Sequence, residues 1–364
     1  MNYNLKDIFE NFSHDGSFLS GVACGSGHIH DTFKILTAEK DKDDYILQKL
    51  NNKIFTNIPE LQDNIERVTN HLRNKLTKIP GSDAKRECLN LVYAKDEKSW
   101  IIDKDGNYWR MFLFISNHRS YDLVDSPGKA YQGGKAIGRF QAMLSDMPGG
   151  SLFETIPRFH NVESRLDTLN IKIASNPVGR VGSVGKEIDQ ILKRAEEMKI
   201  IMRLGKEGKI PTRITHNDTK FNNILLDEND KALCVIDLDT VMPGYVHYDF
   251  GDAIRTGANT SNEDETDLSK VSMNIDLFRA YSEGYLSEAG STLNKTEKDY
   301  LAFAPLLITY TQAVRFLSDF IDGDTYYKIH NELHNLQRTR AQIKLVLSME
   351  EQYEEMRKII RELA

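Results

Sequence analysis

Apolar and polar positions alternate over short runs through the first third of the chain. Ser20–Cys24 leads into Gly25-Ser26-Gly27, Thr32–Leu36 follows, and the charged turn Glu39–Asp44 precedes Tyr45–Leu50. Short apolar runs divided by glycine and charged turns predict an antiparallel meander. Leu61, Ile65, Val68 and Leu72 then recur at helical spacing, which predicts an amphipathic helix entered at Pro59. Asp103–Asn107, with its Asp-Gly step, separates Trp100–Ile102 from Tyr108–Ile115 and predicts a hairpin. Beyond Ile115 the pattern changes. Ser116–Pro127 is polar and turn-like, and helices are expected over Tyr131–Leu144, Gly185–Leu204, Ile275–Glu288 and Leu301–Phe320. Two short apolar runs, Asn223–Leu226 and Ala232–Leu238, interrupt that series, and a long C-terminal helix carries Leu333, Leu336, Ile343, Val346, Met349 and Tyr353. The expected fold is α+β in two lobes: a small antiparallel β-rich lobe over 1–115, a hinge over 116–127 and a larger helical lobe over 128–364.

Composition narrows the function classes. Forty-seven basic against 54 acidic residues in 364 give a net charge of −7, which argues against a dedicated nucleic-acid binder but leaves room for a local anion pocket. Cys24, Cys88 and Cys234 are too widely spaced for a disulfide framework or a thiolate metal site, and fit a reducing compartment. The opening MNYNLKDIFENF lacks a signal-peptide pattern, and Met111–Ile115 and Ala302–Ile308 are far shorter than the ~20 residues of a bilayer span. A cytoplasmic location without a membrane partner is expected. The acidic stretch Asn262–Asp267 reads as a solvated surface loop.

Candidate chemistry concentrates in Thr215–Leu226, where His216, Asp218, Lys220 and Asn223 stand close together, and in Ile236-Asp237-Leu238-Asp239. Phosphoryl transfer to a hydroxyl needs a divalent cation held by hard oxygens, a carboxylate to orient the hydroxyl and accept its proton, and a cation near the transferred group. Asp218 suits the base, Lys220 the cation, and Asn223 with Asp237 the metal ligands. The spacing H-x-D-x-K-x-x-N, followed by a strand-terminal Asp, is that of a protein-kinase catalytic loop. The bland alternative is an Asx-turn loop with Asp237 as a turn residue. His216 has no second His at ligand spacing and reads as a structural hydrogen-bonder. Gly25, Ser26, Gly27 and His28 allow backbone N–H groups to close on phosphates, although a tight hairpin also wants glycine there and His30 stands where a third glycine would be.

These strings resemble the aminoglycoside-phosphotransferase-like kinases, whose fold is two-lobed and protein-kinase-like. Gly25–Ile29, Tyr45–Gln48, Thr215–Leu225, Ile236–Gly244, Tyr248–Arg255, Arg315–Leu317 and Gly323–Tyr326 are most similar to the members that act on N-acetylhexosamines. That resemblance implies a kinase using ATP and Mg2+ to phosphorylate the anomeric hydroxyl of N-acetylglucosamine or N-acetylgalactosamine. It implies Asp218 as base, Asn223 and Asp237 as metal ligands, and Arg315 and Tyr326 as sugar-holding residues beside Asp218. Asp249 and Asp252 match the segment that buttresses the loop, and Asp239 either meets a second metal or orients the first shell. One departure stands out: Gln48 occupies the place of the phosphate-pairing Lys, strand alternation sends Lys49 to the other face, and Glu66 becomes a doubtful helix partner. Phosphate neutralisation would then lean on metal and Lys220, with Gln48 donating an uncharged hydrogen bond. The rival readings are a choline, amino-alcohol or aminoglycoside kinase of the same fold, and a catalytically silent nucleotide-binding module.

Overall fold

The computed structural model describes residues 3–24 and 29–364. The N-terminal part runs α1 (Leu5–Phe9), β1 (Phe18–Ala23), β2 (Asp31–Thr37), β3 (Tyr45–Lys49), α2 (Ile58–Leu76), β4 (Leu91–Val92), β5 (Ile101–Ile102) and β6 (Tyr108–Leu113). Its six strands form one antiparallel sheet in the order β1-β2-β3-β6-β4, with β5 also on β6. The expected meander and hairpin are both present. In the hairpin turn Asp103 Oδ1 accepts the N–H groups of Asp105 and Asn107, each at 2.9 Å, and Gly106 takes the left-handed φ of +79° that the turn requires. Strand β4 has only two residues, too few to carry a pattern.

Helix α2 begins where Asn57 caps the N–H of Glu60, with Pro59 in its first turn. Its apolar face buries Leu61, Ile65, Val68 and Leu72. Asn64 on the same helix exchanges hydrogen bonds with the backbone of Phe153 (2.9 and 3.0 Å) and donates to Val241 O at 3.2 Å, so α2 is pinned to the following part of the chain.

That part contains α3 (Pro127–Leu144), α4 (Val162–Ser175), α5 (Gly185–Leu192), α6 (Ala195–Met198), α7 (Ile200–Lys206), β7 (Arg213–Thr215), β8 (Ile224–Leu226), β9 (Ala232–Val235) and β10 (Met242–Gly244). It continues through α8 (Val246–Gly257), α9 (Ile275–Ala289), α10 (Lys295–Asp299), α11 (Ala304–Ile321), α12 (His334–Glu351) and α13 (Tyr353–Leu363). A large apolar cluster joins these helices. Helices α3 and α9 touch backbone to backbone: a Cβ on Gly134 would lie 2.1 Å from Tyr281 O, and one on Gly284 2.0 Å from Tyr131 O. The segment Lys295–Ile321 is apolar and long enough to cross a bilayer by composition, yet 89% of its most apolar window is buried inside the fold, as a core helix would be.

Several expectations are corrected. Gly185–Leu204 is three short helices, because Arg194 turns inward to bind Glu350 of α12 (2.5 and 2.6 Å) while its Nη1 donates to Gln190 O. The C-terminal helix breaks at Gln352, whose amide donates to Met273 O at 2.9 Å. The acidic stretch is the surface loop expected, none of it buried, but it is also tethered: Glu263 takes Arg255 Nη1 at 2.7 Å and Asp264 takes His334 Nε2 at 3.0 Å. Helix α8 buries His247, Asp249, Asp252 and Arg255 along with its apolar residues.

His247 gives an acid-stability prediction. Its Nε2 donates to Glu297 O at 3.0 Å, and burial holds the imidazole down to about 4. The folded value lies below the unfolded one, so its contribution is complete above about pH 6.5 and is lost as pH falls towards 4, amounting to roughly 3 kcal/mol. His247→Gln should flatten the fall in melting temperature between pH 7 and pH 5. An unchanged slope would remove His247 from the acid limb.

Candidate active site

Two short two-stranded antiparallel sheets build the centre. Strand β7 pairs with β10 (Thr215 opposite Met242) and β8 pairs with β9 (Ile224 opposite Val235). The second pairing extends past its strands: Ile236 N–H donates to Asn223 O at 2.9 Å, which brings Asn223 beside Asp237 although fourteen positions separate them. Asn217 and Asp237 have φ of +65° and +60°, a region that Asn and Asp tolerate better than most residues.

The loop is held from below. Asp249 on α8 accepts the backbone N–H groups of His216 (2.9 Å) and Asn217 (2.7 Å) and the Gln141 amide of α3 (2.6 Å). Gln141 in turn accepts the Tyr285 hydroxyl of α9, so the α3–α9 contact braces the loop. His216 Nε2 donates to Ile236 O and its Nδ1 accepts Asp218 N–H, which makes it a structural bonder rather than a ligand. Thr240 Oγ1 donates to His216 O and Asn217 Nδ2 to Thr240 O, closing the loop against the Asp237 turn.

On this platform Lys220 Nζ lies 3.0 Å from Asp218 Oδ1, and the Asn223 amide donates to Asp218 O (2.8 Å) and Oδ2 (3.3 Å). Burial opposes the Asp218 charge, but Lys220, assisted by His216 and Arg255, holds the carboxyl below its ordinary value. The Asp218 carboxylate raises Lys220 in return. Asp237 goes the other way: burial, then the charges of Asp239 and Asp218, push it up to about 7. Asp218, Lys220, Asn223 and Asp237 therefore share one electrostatic neighbourhood. Among the described residues no group of three His, Cys, Asp or Glu side chains is placed to hold a metal, so a cation site here would rest on one carboxylate and one amide.

Asp239 is not free to meet a metal. Its oxygens accept Arg110 Nη1 (2.5 Å), Arg110 Nη2 (2.6 Å) and His30 Nε2 (3.1 Å), and Arg110 and Asp239 are 2% and 3% exposed. Burial notwithstanding, the Arg110 charge and the hydrogen bonds from Arg110 and His30 depress the Asp239 carboxyl strongly. Gln48 belongs to the same cluster: its amide donates to Thr32 Oγ1 at 3.1 Å and its oxygen accepts Arg110 Nε at 2.9 Å. Thr32, Gln48 and Arg110 stand opposite one another across β2, β3 and β6, on one face of the sheet. Lys49 points to the other face and bonds Tyr3, while Glu66 bonds Tyr93 and so is no partner for a β3 cation. Arg110 was missed in the sequence because nothing local marks one strand Arg as the partner of an Asp 129 positions later.

Arg315 and Tyr326 meet at Tyr327. Arg315 lies 5.6 Å from the Tyr327 ring and 5.2 Å from the Phe159 ring, and Tyr326 packs on Tyr327 at 4.8 Å while remaining 60% exposed. Their link to Asp218 runs through His160, whose ring lies tilted beside Phe159 at 4.5 Å and donates to Asn217 O at 2.8 Å. Gly25, Ser26, Gly27 and His28 lie outside the described residues.

Residues 22–289 match the phosphotransferase enzyme family, APH. The chain belongs to this family. Among solved structures it is similar to an aminoglycoside phosphotransferase from Alicyclobacillus acidocaldarius (TM-score 0.61, 12% identity, 96% of each chain covered). It is also similar to an amicoumacin kinase in complex with AMP-PNP and Ca2+ (0.59, 13%, 94% of this chain and 93% of that one) and to a microcompartment-associated aminopropanol kinase (0.57, 14%, 97% of each). These likenesses establish a kinase-like α+β fold for this phosphotransferase.

Proposed function

We propose that this family member is an ATP- and Mg2+-dependent kinase that phosphorylates the anomeric hydroxyl of an N-acetylhexosamine, giving the sugar 1-phosphate. The observation that carries the reading is the meeting of Asp218, Lys220 and Asn223 beside Asp237 on one braced platform. In this reading the anomeric oxygen attacks the terminal phosphorus of ATP, the bond to ADP breaks, and the hydroxyl proton passes to Asp218. An anomeric hydroxyl is more acidic than an ordinary alcohol, so a carboxylate held below its usual value by Lys220 suffices. Lys220 faces the transferred phosphoryl. Asn223 and Asp237 would hold Mg2+, which supplies charge neutralisation on the phosphates when bound. The donor set fits a hard cation: the Asn223 amide and the Asp237 carboxylate would both offer oxygen, and Asp237 has no basic side chain paired to it among the described residues. In this reading the nucleotide meets backbone near Phe114–Ser116, with Gln48 as part of the wall behind it, and the sugar meets Arg315 and Tyr326. The three cysteines are free, which suits a reducing cytoplasm.

An ADP-release screen over N-acetylglucosamine, N-acetylgalactosamine, free hexoses, choline, aminopropanol and aminoglycosides tests this, with phosphorus NMR locating the new ester. Turnover of an N-acetylhexosamine at the anomeric oxygen is expected. Turnover of choline or an aminoglycoside without any hexosamine would overturn the assignment, and ATP binding without any turnover would favour a silent module. Asp237→Ala should abolish the Mg2+ dependence of ATP binding; an unchanged Mg2+ titration would remove Asp237 from the metal site.

A further inference from the structure

Two guanidinium groups converge on one residue beside the proposed acceptor side. Arg165 Nε and Nη2 donate to Phe159 O at 3.3 and 2.8 Å, and Arg315 lies 5.2 Å from the Phe159 ring. Arg315 is otherwise tied to the Gln312 amide oxygen, Nη1 to Oε1 at 3.0 Å. Both arginines thus bond neutral oxygens, and neither makes an ion pair with a carboxylate among the described residues. Burial, and then the Arg315 charge, lower Arg165 to about 10, as expected of a cation facing another cation.

The carboxylates of this region are tied to other partners, Asp252 through Oδ1 alone, its buried Oδ2 having no hydrogen-bond partner among the described residues. Asp252 and Glu263 both bind Arg255. Asp319 accepts the backbone N–H groups of Tyr326 and Tyr327, at 2.8 and 2.9 Å, and the Asn335 amide. A cage for an ammonium group needs open ring faces; Arg315 lies over Phe159 and Tyr327, while Tyr326 remains exposed. Phe159 adjoins His160, which holds Asn217 O, so this cationic corner connects to Asp218 through His160 and Asn217.

We infer that Arg165 and Arg315 form a cationic subsite around Phe159 that accepts uncharged or anionic oxygen groups of the phosphoryl acceptor and turns away acceptors carrying an ammonium. The inference rests on the reading that Arg315 faces the acceptor. It adds a charge rule: an acetamido carbonyl is taken where a protonated amine on the same sugar carbon is repelled.

The test is the ratio of kcat/KM for N-acetylglucosamine over glucosamine, below the pH at which the glucosamine ammonium loses its proton. A ratio of at least about tenfold is expected. Arg165→Met, which keeps length and removes charge, should reduce that ratio at least about threefold by improving glucosamine relative to the acetamide. A merely structural Arg165 would lower both substrates together, and an unchanged ratio overturns the inference. A second measurement needs no variant. In the native enzyme, kcat/KM for glucosamine, normalised to that for N-acetylglucosamine, should rise as its ammonium titrates away; a flat normalised profile also overturns it. If neutral hexoses are the true substrates, the sugar assignment alone fails and the charge rule is read on glucose against glucosamine. Glucosamine matching N-acetylglucosamine sinks the charge rule alone, and preference for choline or aminoglycosides sinks both.

Discussion

Asp218→Asn is expected to lower kcat by about two to four orders of magnitude while leaving ATP affinity and melting temperature close to the native values. The amide keeps the shape of the side chain but cannot take the acceptor proton. The loop does not depend on that carboxylate for its form: Asp249 holds the backbone of His216 and Asn217, and Asn223 is anchored chiefly on Asp218 O, a main-chain atom. Steady-state kinetics with ATP and the acceptor found in the screen, alongside calorimetric ATP titration, separates chemistry from binding. A variant as fast as the native enzyme would strip Asp218 of its base role, and loss of ATP binding would show it to be structural.

Arg110→Met should destabilise the protein by about 3–5 kcal/mol, because it leaves the Asp239 carboxylate buried without its bidentate partner. His30 Nε2, at 3.1 Å, would be the remaining donor to those oxygens. The effect reaches across the molecule, since Arg110 lies on β6 and Asp239 follows β9 and Asp237. The double variant Arg110→Met/Asp239→Leu should recover most of the loss, because an apolar pair needs no compensating charge. Urea unfolding of the two variants and the native chain reads this directly. A loss below about 1 kcal/mol for Arg110→Met would mean that the pair holds little of the contact between the sheet and the Asp237 turn.

The sequence and the structure agree where the physics is local. The Asp103–Asn107 turn closes through its own Asp side chain, and α2 starts where an Asn cap and a Pro coincide, so neighbouring residues suffice to place both. The stretch His216–Asn223 was legible as chemistry because its residue types and spacing sit within one loop. Agreement ends where a distant residue decides. Arg194 breaks a periodic helix to reach Glu350, and the acidic stretch docks because Arg255 and His334 come to it from other helices. Gln48 read as a substitute for a phosphate-binding lysine; the fold also gives it the task of steadying Arg110 in a cross-strand row that no single strand displays.

By itself, then, the chain's pattern of residues determined the antiparallel meander, the amphipathic helix behind it and the loop that carries Asp218, Lys220 and Asn223, since hydrophobic period, turn chemistry and motif spacing act over a few residues. Tertiary structure alone decided that Arg110 neutralises Asp239 with a further hydrogen bond from His30, that Asp249 clamps the loop, and that two arginines share Phe159. Those choices depend on desolvation and on the balance of buried charge, and both are set by which remote side chains the folded chain brings within hydrogen-bond reach.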